Sequence, residues 1–250
     1  MNSDKTLTNE YVRSYYDTFL SKYDGEYAHY RWQAGPVEKL HFTQTKRTLM
    51  PYLKTTSGAV LEIGGGDGIW TREYIDHVDS LMFLDISKEM IARAQKRFAA
   101  VSGKISYVCD DFLQAEIPTN HFATVVSIRN LEYFTDKQLF FSRVHNALAE
   151  NGRFILVTKS PQYNRIDTTK EKALHHGQTD VIELMKMMQQ AGFRVVAVRP
   201  AIFGKLFRFS IVRGITTFLH RCMLLLPWKM LPVKLLSYVS ESFLIYAEKK

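Results

Sequence analysis

The stretch Val60-Leu61-Glu62-Ile63-Gly64-Gly65-Gly66-Asp67-Gly68-Ile69-Trp70-Thr71 decides how this chain is read. An apolar strand, Ala59 to Ile63, runs into a glycine cluster, and a helical pattern is expected from Asp67 to His77. Glycine has no Cβ, so the backbone can turn sharply and approach a ligand closely. A helix start would add unpaired N–H groups and a positive dipole end. Open α/β sheets bind ligands at this carboxyl edge of their strands. The dinucleotide fingerprint needs glycine at the first, third and sixth positions; counted from Gly64, the sixth is Ile69, which argues against a nicotinamide enzyme. No Gly-Lys-Ser/Thr phosphate loop follows.

Working outward, the 250 residues suffice for one α/β unit with decorations. Apolar residues make up 46% and charged residues 23%, an ordinary globular balance. The two cysteines, Cys109 and Cys222, form no metal or disulfide pattern. Cys109 falls in an apolar strand pattern and reads as a buried thiol. Met1 to Lys5 is polar and lacks the apolar core of a signal peptide, and no run approaches a spanning helix. These features suggest a cytoplasmic protein. The net charge of +8 favours acidic surfaces or ligands.

Residues 1–57 form a helical cap rich in aromatics, among them Tyr11, Tyr15, Tyr16, Phe19, Tyr23, Tyr27, Tyr30 and Trp32. They either pack the cap on the sheet or place Tyr16 or Tyr23 as a lid over a ligand. His29 and His41 read as surface or structural groups. Over residues 58–200, strands and helices alternate. Strands are expected at Ala59–Ile63, Ser80–Asp85, Lys104–Cys109, Phe122–Ile128, Arg153–Thr158 and Phe193–Arg199. Helices fall at Lys88–Ala99, Asp136–Ala149 and Val181–Ala191, with Ser87 capping the first. This order implies a doubly wound, parallel α/β sheet. A last strand lies within 241–250.

Chemistry-bearing residues recur where strands end. Asp85 lies about twenty residues past the glycine loop, where a carboxylate can accept from both ribose hydroxyls. Asp110-Asp111-Phe112 follows the third strand. There a carboxylate can accept from an adenine amino group while an aromatic ring packs on the base; alternation favours Asp111, with Asp110 the alternative. Ser127-Ile128-Arg129-Asn130-Leu131-Glu132-Tyr133 leaves the fourth strand.

Taken together, Glu62-x-Gly64-x-Gly66-x-Gly68, Asp85-Ile86, Asp111-Phe112 and Ser127 to Tyr133 resemble the ordered motifs of class I S-adenosylmethionine-dependent methyltransferases. The likeness extends over roughly residues 55–200 and the last strand. It implies a Rossmann-like sheet of seven strands, parallel except for the last. It also implies S-adenosylmethionine as cofactor, S-adenosylhomocysteine as product and no metal. The cofactor contacts it assigns are Glu62, Gly64, Gly66, Gly68, Asp85, Ile86, Asp111, Phe112 and Ser127, with Tyr16 from the cap. Many relatives carry histidine where Tyr133 stands. A phenol with a reference pKa of about 10 is a poor general base, so the catalytic candidates Tyr133 and Arg129 carry no assigned base role. Arg129 would hold an anionic substrate or pair with a nearby acid.

Residues 201–240 depart from that family, which usually joins its last two strands by a short hairpin. Between Glu183 and Glu241 no acidic residue occurs, while Lys205, Arg208, Arg213, Arg221, Lys229 and Lys234 punctuate an apolar run ending in Leu224-Leu225-Leu226-Pro227-Trp228. Helices broken at Pro227 and Pro232 are expected. An amphipathic basic helix with an interfacial tryptophan suits peripheral contact with the inner face of a membrane. A lid over the substrate and a homodimer interface are the alternatives. So much aliphatic surface argues against a nucleic-acid groove. The expectation is methyl transfer to a small or lipid-linked acceptor, such as an isoprenoid quinone, a lipid or a polyprenol-linked sugar. An RNA or protein methyltransferase, and a non-catalytic cofactor-binding partner subunit, are the rival readings.

Overall fold

Seven strands form one sheet in the order β3-β2-β1-β4-β5-β7-β6. The computed structural model describes residues 9–21, 27–161, 177–203, 210–227, 233–234 and 240–250. The strands are β1 Ala59–Ile63, β2 Ser80–Asp85, β3 Ile105–Cys109, β4 Phe122–Ile128, β5 Leu148–Lys159, β6 Phe193–Phe203 and β7 Ser240–Lys249. Strand β1 pairs in parallel with β2 and β4, and β7 runs antiparallel between β5 and β6. The order reverses between β1 and β4, which opens a crevice beyond Ile63.

Alternation along each strand builds two cores. Leu61, Ile63, Val125, Phe154 and Leu156 face one side, where Phe140, Phe141, Leu184 and Met188 of α5 (Lys137–Ala147) and α6 (Val181–Gln190) cover them. Val60, Val126, Ile155 and Val157 face the other, under Leu49, Leu53, Ile91 and Ala94 of α3 (Pro36–Leu53) and α4 (Lys88–Arg97). Side-chain caps start these helices where short polar residues precede them. Ser87 Oγ accepts from the Met90 amide at 3.2 Å, Asp136 from Leu139 at 2.8 Å, and Asp180 from Ile182 at 2.8 Å.

Two expectations change. The segment after β1 is not one α-helix over 67–77; it makes two three-residue 3₁₀ turns, Thr71–Glu73 and Ile75–His77. Glu62 ties the two turns together. Its buried carboxylate accepts from Thr71 Oγ1 at 2.5 Å and Tyr74 Oη at 2.7 Å, and Tyr74 between the turns has φ −140°. That φ lies outside the helical region and breaks the segment between the turns. No helix dipole therefore points at the glycine loop. Cys109 is exposed, at the end of β3, which is an edge strand.

The insertion forms α7, Ser210–Leu225, ending before Pro227. It seats on α3 and β6 through a polar seam. His220 Nε2 lies 3.1 Å from both Thr48 Oγ1 and the Pro200 carbonyl. Burial pushes the His220 pKa down to about 4. An unfolded histidine near 6.5 then takes up protons first, so this group's contribution is complete above about pH 6.5 and is lost as pH falls to about 4. We expect His220→Gln to remove roughly 3 kcal/mol of that acid-dependent loss, read as a smaller drop in urea-unfolding free energy between pH 6.5 and 4 than in wild type. Opposite this seam, Ile215, Phe218, Leu219 and Leu225 make an apolar stripe, with Phe218 66% and Leu225 85% exposed. Among the described residues, no helix is long and apolar enough to cross a membrane. Lys205, Leu206, Phe207, Arg208, Phe209, Trp228, Lys229 and Pro232, like Tyr23 and the side chain of Arg213, lie outside the described residues.

Candidate active site

The carboxyl ends of β1 to β5 and the start of β7 open on a cavity of about 640 Å³, a size suited to small molecules. Its roof comes from α1 (Asn9–Ser21), α2 (Tyr27–Trp32) and the first turns of α3.

One half is built on the glycine loop. The amides of Gly64 and Gly65 both donate to the Leu84 carbonyl, at 2.7 and 3.2 Å, stitching the loop to the end of β2. Asp85 then holds the loop from the other side. Its Oδ2 accepts from the Gly66 amide at 2.8 Å and its Oδ1 from the Ser87 amide at 2.9 Å. Burial raises the Asp85 pKa to about 6, against the lowering effect of these N–H donors. Further along, Asp111 Oδ1 accepts from the Leu113 amide at 3.0 Å, and Phe112 is buried beneath.

The cap closes over this half by polar ties. Asn9 Nδ2 donates to Asp111 at 2.6 Å, Arg13 Nε to the Ile86 carbonyl at 3.2 Å, and Ser87 Oγ to Asp17 at 2.5 Å. Tyr16 reaches across to Tyr133 with a hydroxyl–hydroxyl distance of 2.8 Å. Burial holds both phenols well above their usual pKa, so both are neutral hydrogen-bonding groups at neutral pH.

The other half is charged and aromatic. Lys159 Nζ lies 3.7 Å from Glu132 Oε1, both deeply buried, and Thr158 Oγ1 donates to Glu132 Oε2 at 3.2 Å. His41 Nε2 sits 3.8 Å from Glu241 Oε2. Burial first, then the Arg129 and Arg31 guanidiniums, pushes the His41 pKa down to about 3, leaving a neutral imidazole. Arg31 and Arg129 lie over the Trp32 indole, with Cζ 5.1 and 5.6 Å from the ring centroid.

The family described as Methyltransferase domain matches residues 60–152. An uncharacterized methyltransferase of Mycobacterium tuberculosis is 30% identical over 99 residues, 40% of this chain and 49% of that protein. The ubiquinone/menaquinone biosynthesis C-methyltransferase UbiE of Psychromonas ingrahamii is 25% identical over 103 residues, 39% of this chain and 41% of that protein. The chain thus spans about half the length, or less, of these curated relatives. A putative methyltransferase of Bacillus halodurans shares the fold at a TM-score of 0.60 and 19% identity, covering 83% of this chain and 99% of its own.

Residues 60–152 thus resemble the methyltransferase domain family, and the chain shares the fold of S-adenosylmethionine-dependent methyltransferases.

Gly64, Gly66, Asp85, Ile86, Asp111, Phe112, Tyr16, Arg129 and Tyr133 all line this one cavity, as does Asp110. Three residues singled out from sequence do not line it. Glu62 faces away and anchors Thr71 and Tyr74; burial raises its pKa to about 7. Gly68, at φ +78°, turns the chain under Phe98. Ser127 Oγ donates to Asn130 Oδ1 at 2.6 Å, and it is Asn130, bonded also to the Ile63 carbonyl, that reaches the cavity. The described insertion residues 201–203 and 210–227 line none of it, so they form no lid. Sequence reading missed Arg31, His41, Asn130, Lys159 and Glu241. His41 had read as a surface or structural group, and the other four sit at strand ends or in the cap with no spacing that ties them together.

Proposed function

We propose that this protein transfers a methyl group from S-adenosylmethionine to a small or lipid-linked acceptor. The observation that carries this reading is the division of one cavity into a carboxylate-lined half and an aromatic, charged half beneath a helical roof. The residues present fit the cofactor. Asp85 spends part of its acceptor capacity on the loop and keeps lone pairs for ribose hydroxyls. Asp111 and Phe112 suit the adenine, and a Cβ at Gly64 would collide with Asn130 at the cavity wall. When bound, the cofactor supplies an activated methyl on a sulfonium, which an O, N or C nucleophile displaces. The chain's own task is orientation and exclusion of water. Tyr16 and Tyr133 hold each other at the cavity wall. Neither serves as a base, because both phenols stay protonated. Calorimetry with S-adenosylmethionine tests the reading: no binding by folded protein would end it.

The tyrosine pair gives a second test. Tyr16→Phe and Tyr133→Phe are each expected to weaken S-adenosylhomocysteine binding by about 1 kcal/mol, and the double variant by scarcely more, since the two hydroxyls form one bond. Additive losses in the double-mutant cycle would mean that each hydroxyl acts alone.

The apolar stripe of α7 favours the lipid-linked acceptors, an isoprenoid quinone, a lipid or a polyprenol-linked sugar, reached from a membrane surface. Exposed Ile215, Phe218, Leu219 and Leu225 beside Arg221 and Lys39 suit an anionic bilayer. In vesicle flotation, wild type should float with anionic lipid, while a Phe218→Ser, Leu219→Ser, Leu225→Ser variant should stay in the soluble fraction. Equal soluble recovery of both would argue against docking, and a shift from dimer to monomer in the variant would reassign the stripe to a homodimer.

A further inference from the structure

The half of the cavity away from Asp85 contains, besides Lys159 beside Glu132, two guanidiniums brought together by separate elements. Arg31 closes α2, and Arg129 follows β4, ninety-eight residues later in the numbering. Trp32 is what aligns them. Its ring is 4% exposed and locked by Trp70 at 5.7 Å and Phe42 at 5.7 Å, so it is a rigid platform. Guanidiniums stack well on such a face and keep their N–H edges for other partners. Arg129 is also held in the left-handed region, φ 64°, with its amide donating to the Val157 carbonyl at 2.7 Å. That backbone is unfavourable for a non-glycine residue. Such strain is found at ligand clamps, where the surrounding structure imposes it. Here it delivers the guanidinium onto Trp32. The two cations act on their surroundings, since they help keep the neighbouring His41 imidazole neutral. A neutral imidazole adds no charge beside Glu241 and can donate or accept a hydrogen bond.

From this we infer that the methyl acceptor carries an oxyanion group, a carboxylate or a phosphate, which Arg31 and Arg129 grip over the Trp32 ring while the acceptor atom faces the glycine-loop half. The inference rests on the methyl-transfer reading for what the anion belongs to, but the anion site itself is testable alone. Planar forks match the two oxygens of a carboxylate or phosphate, and a partly buried site strengthens the attraction. The grip would fix one end of the acceptor and leave its reactive end to be placed by the aromatic walls, Tyr27 and Tyr30 among them.

The test titrates the full chain, saturated with S-adenosylhomocysteine, with benzoate, phenyl phosphate and neutral benzamide in a calorimeter. Benzoate or phenyl phosphate should bind at least tenfold more tightly than benzamide, and whichever is tighter names the oxyanion. Arg31→Gln and Arg129→Gln should each lower anion affinity at least tenfold. Arg31→Lys, which keeps the charge and loses the fork, should fall between. Arg221→Gln, on α7 outside the cavity, should match wild type. S-adenosylhomocysteine binding by each variant reports that the fold is intact. Benzamide binding as tightly as the anions, anion affinity surviving in both glutamine variants, or no anion binding by wild type would each overturn the inference. If wild type fails to bind S-adenosylhomocysteine, the methyl-transfer reading falls instead, and the same titration on the free protein still decides the anion site.

Discussion

Asp85→Ala is expected to weaken S-adenosylmethionine binding more than tenfold, about 1.4 kcal/mol or more. Two losses combine. The ribose hydroxyls lose an acceptor, and the amides of Gly66 and Ser87 lose the buried carboxylate that orders the loop. Asp85→Asn should lose nearly as much, because an amide offers only one oxygen to two donors and turns an NH₂ toward the second. The same residue sets a pH dependence. With a pKa near 6, Asp85 protonates as the medium is acidified, and a protonated carboxyl accepts less well. Affinity should therefore fall as pH drops through about 6 in wild type, and should be flatter there in Asp85→Asn. Fold stability has the opposite sign. The folded pKa is above the ordinary carboxylate value of about 3.9, so this group's contribution to the free protein is complete below that value and is lost as pH rises through about 6. Calorimetric affinity and urea unfolding, each followed from pH 5 to 8, would separate the two; unchanged affinity in Asp85→Ala would move the ribose contact elsewhere.

Asp85 could be found from sequence because its role is local in the fold: β1, glycine loop and β2 form one unit, and the distance between loop and strand end is nearly fixed. The same holds for Asp111 beyond β3, and for the sheet itself, whose strands declare themselves by short apolar runs between caps and turns. The segment after Gly68 was misread because its helical periodicity is real but overridden. Tyr74 leaves the helical region between the two 3₁₀ turns, so the pattern is not carried through as one helix. Ser127 lies behind the cavity wall because its hydroxyl serves Asn130, and the longer side chain lines the cavity. The charged half was invisible because it joins α2, α3, β5 and β7, which no spacing rule links. Arg129 stood out only through its place after β4. That Trp32 would bring Arg31 beside it depends on how the cap folds back over the sheet.

The glycine loop yields the sharpest structural prediction, because sequence treats its glycines as one motif and the structure ranks them. A Cβ at Gly65 would sit 2.3 Å from the Phe83 ring, which is wholly buried and packed against Tyr107. Gly65→Ala therefore overpacks a core that cannot yield, at a cost of about 3 kcal/mol. At Gly64 the Cβ would lie 2.3 Å from Asn130 Nδ2, and φ is +65°. Gly64→Ala adds backbone strain of about 1 to 2 kcal/mol to the displacement of Asn130, whose amide joins Ser127 to Ile63. Gly66→Ala meets only Met90 Sδ at 4.0 Å, so it carries strain from φ +61° and little else. Urea unfolding should order the losses as Gly64 and Gly65 well above Gly66, with the last near 1 to 2 kcal/mol. Cofactor affinity should separate them differently. Gly66→Ala leaves the fold intact yet puts a methyl group on the residue whose amide Asp85 holds at the cavity wall, so its binding loss should exceed its stability loss. Equal losses at Gly64 and Gly66, both at positive φ, would mean that backbone conformation alone sets the cost there, and a Gly65 loss no larger than that at Gly66 would mean that Phe83 yields to the added methyl.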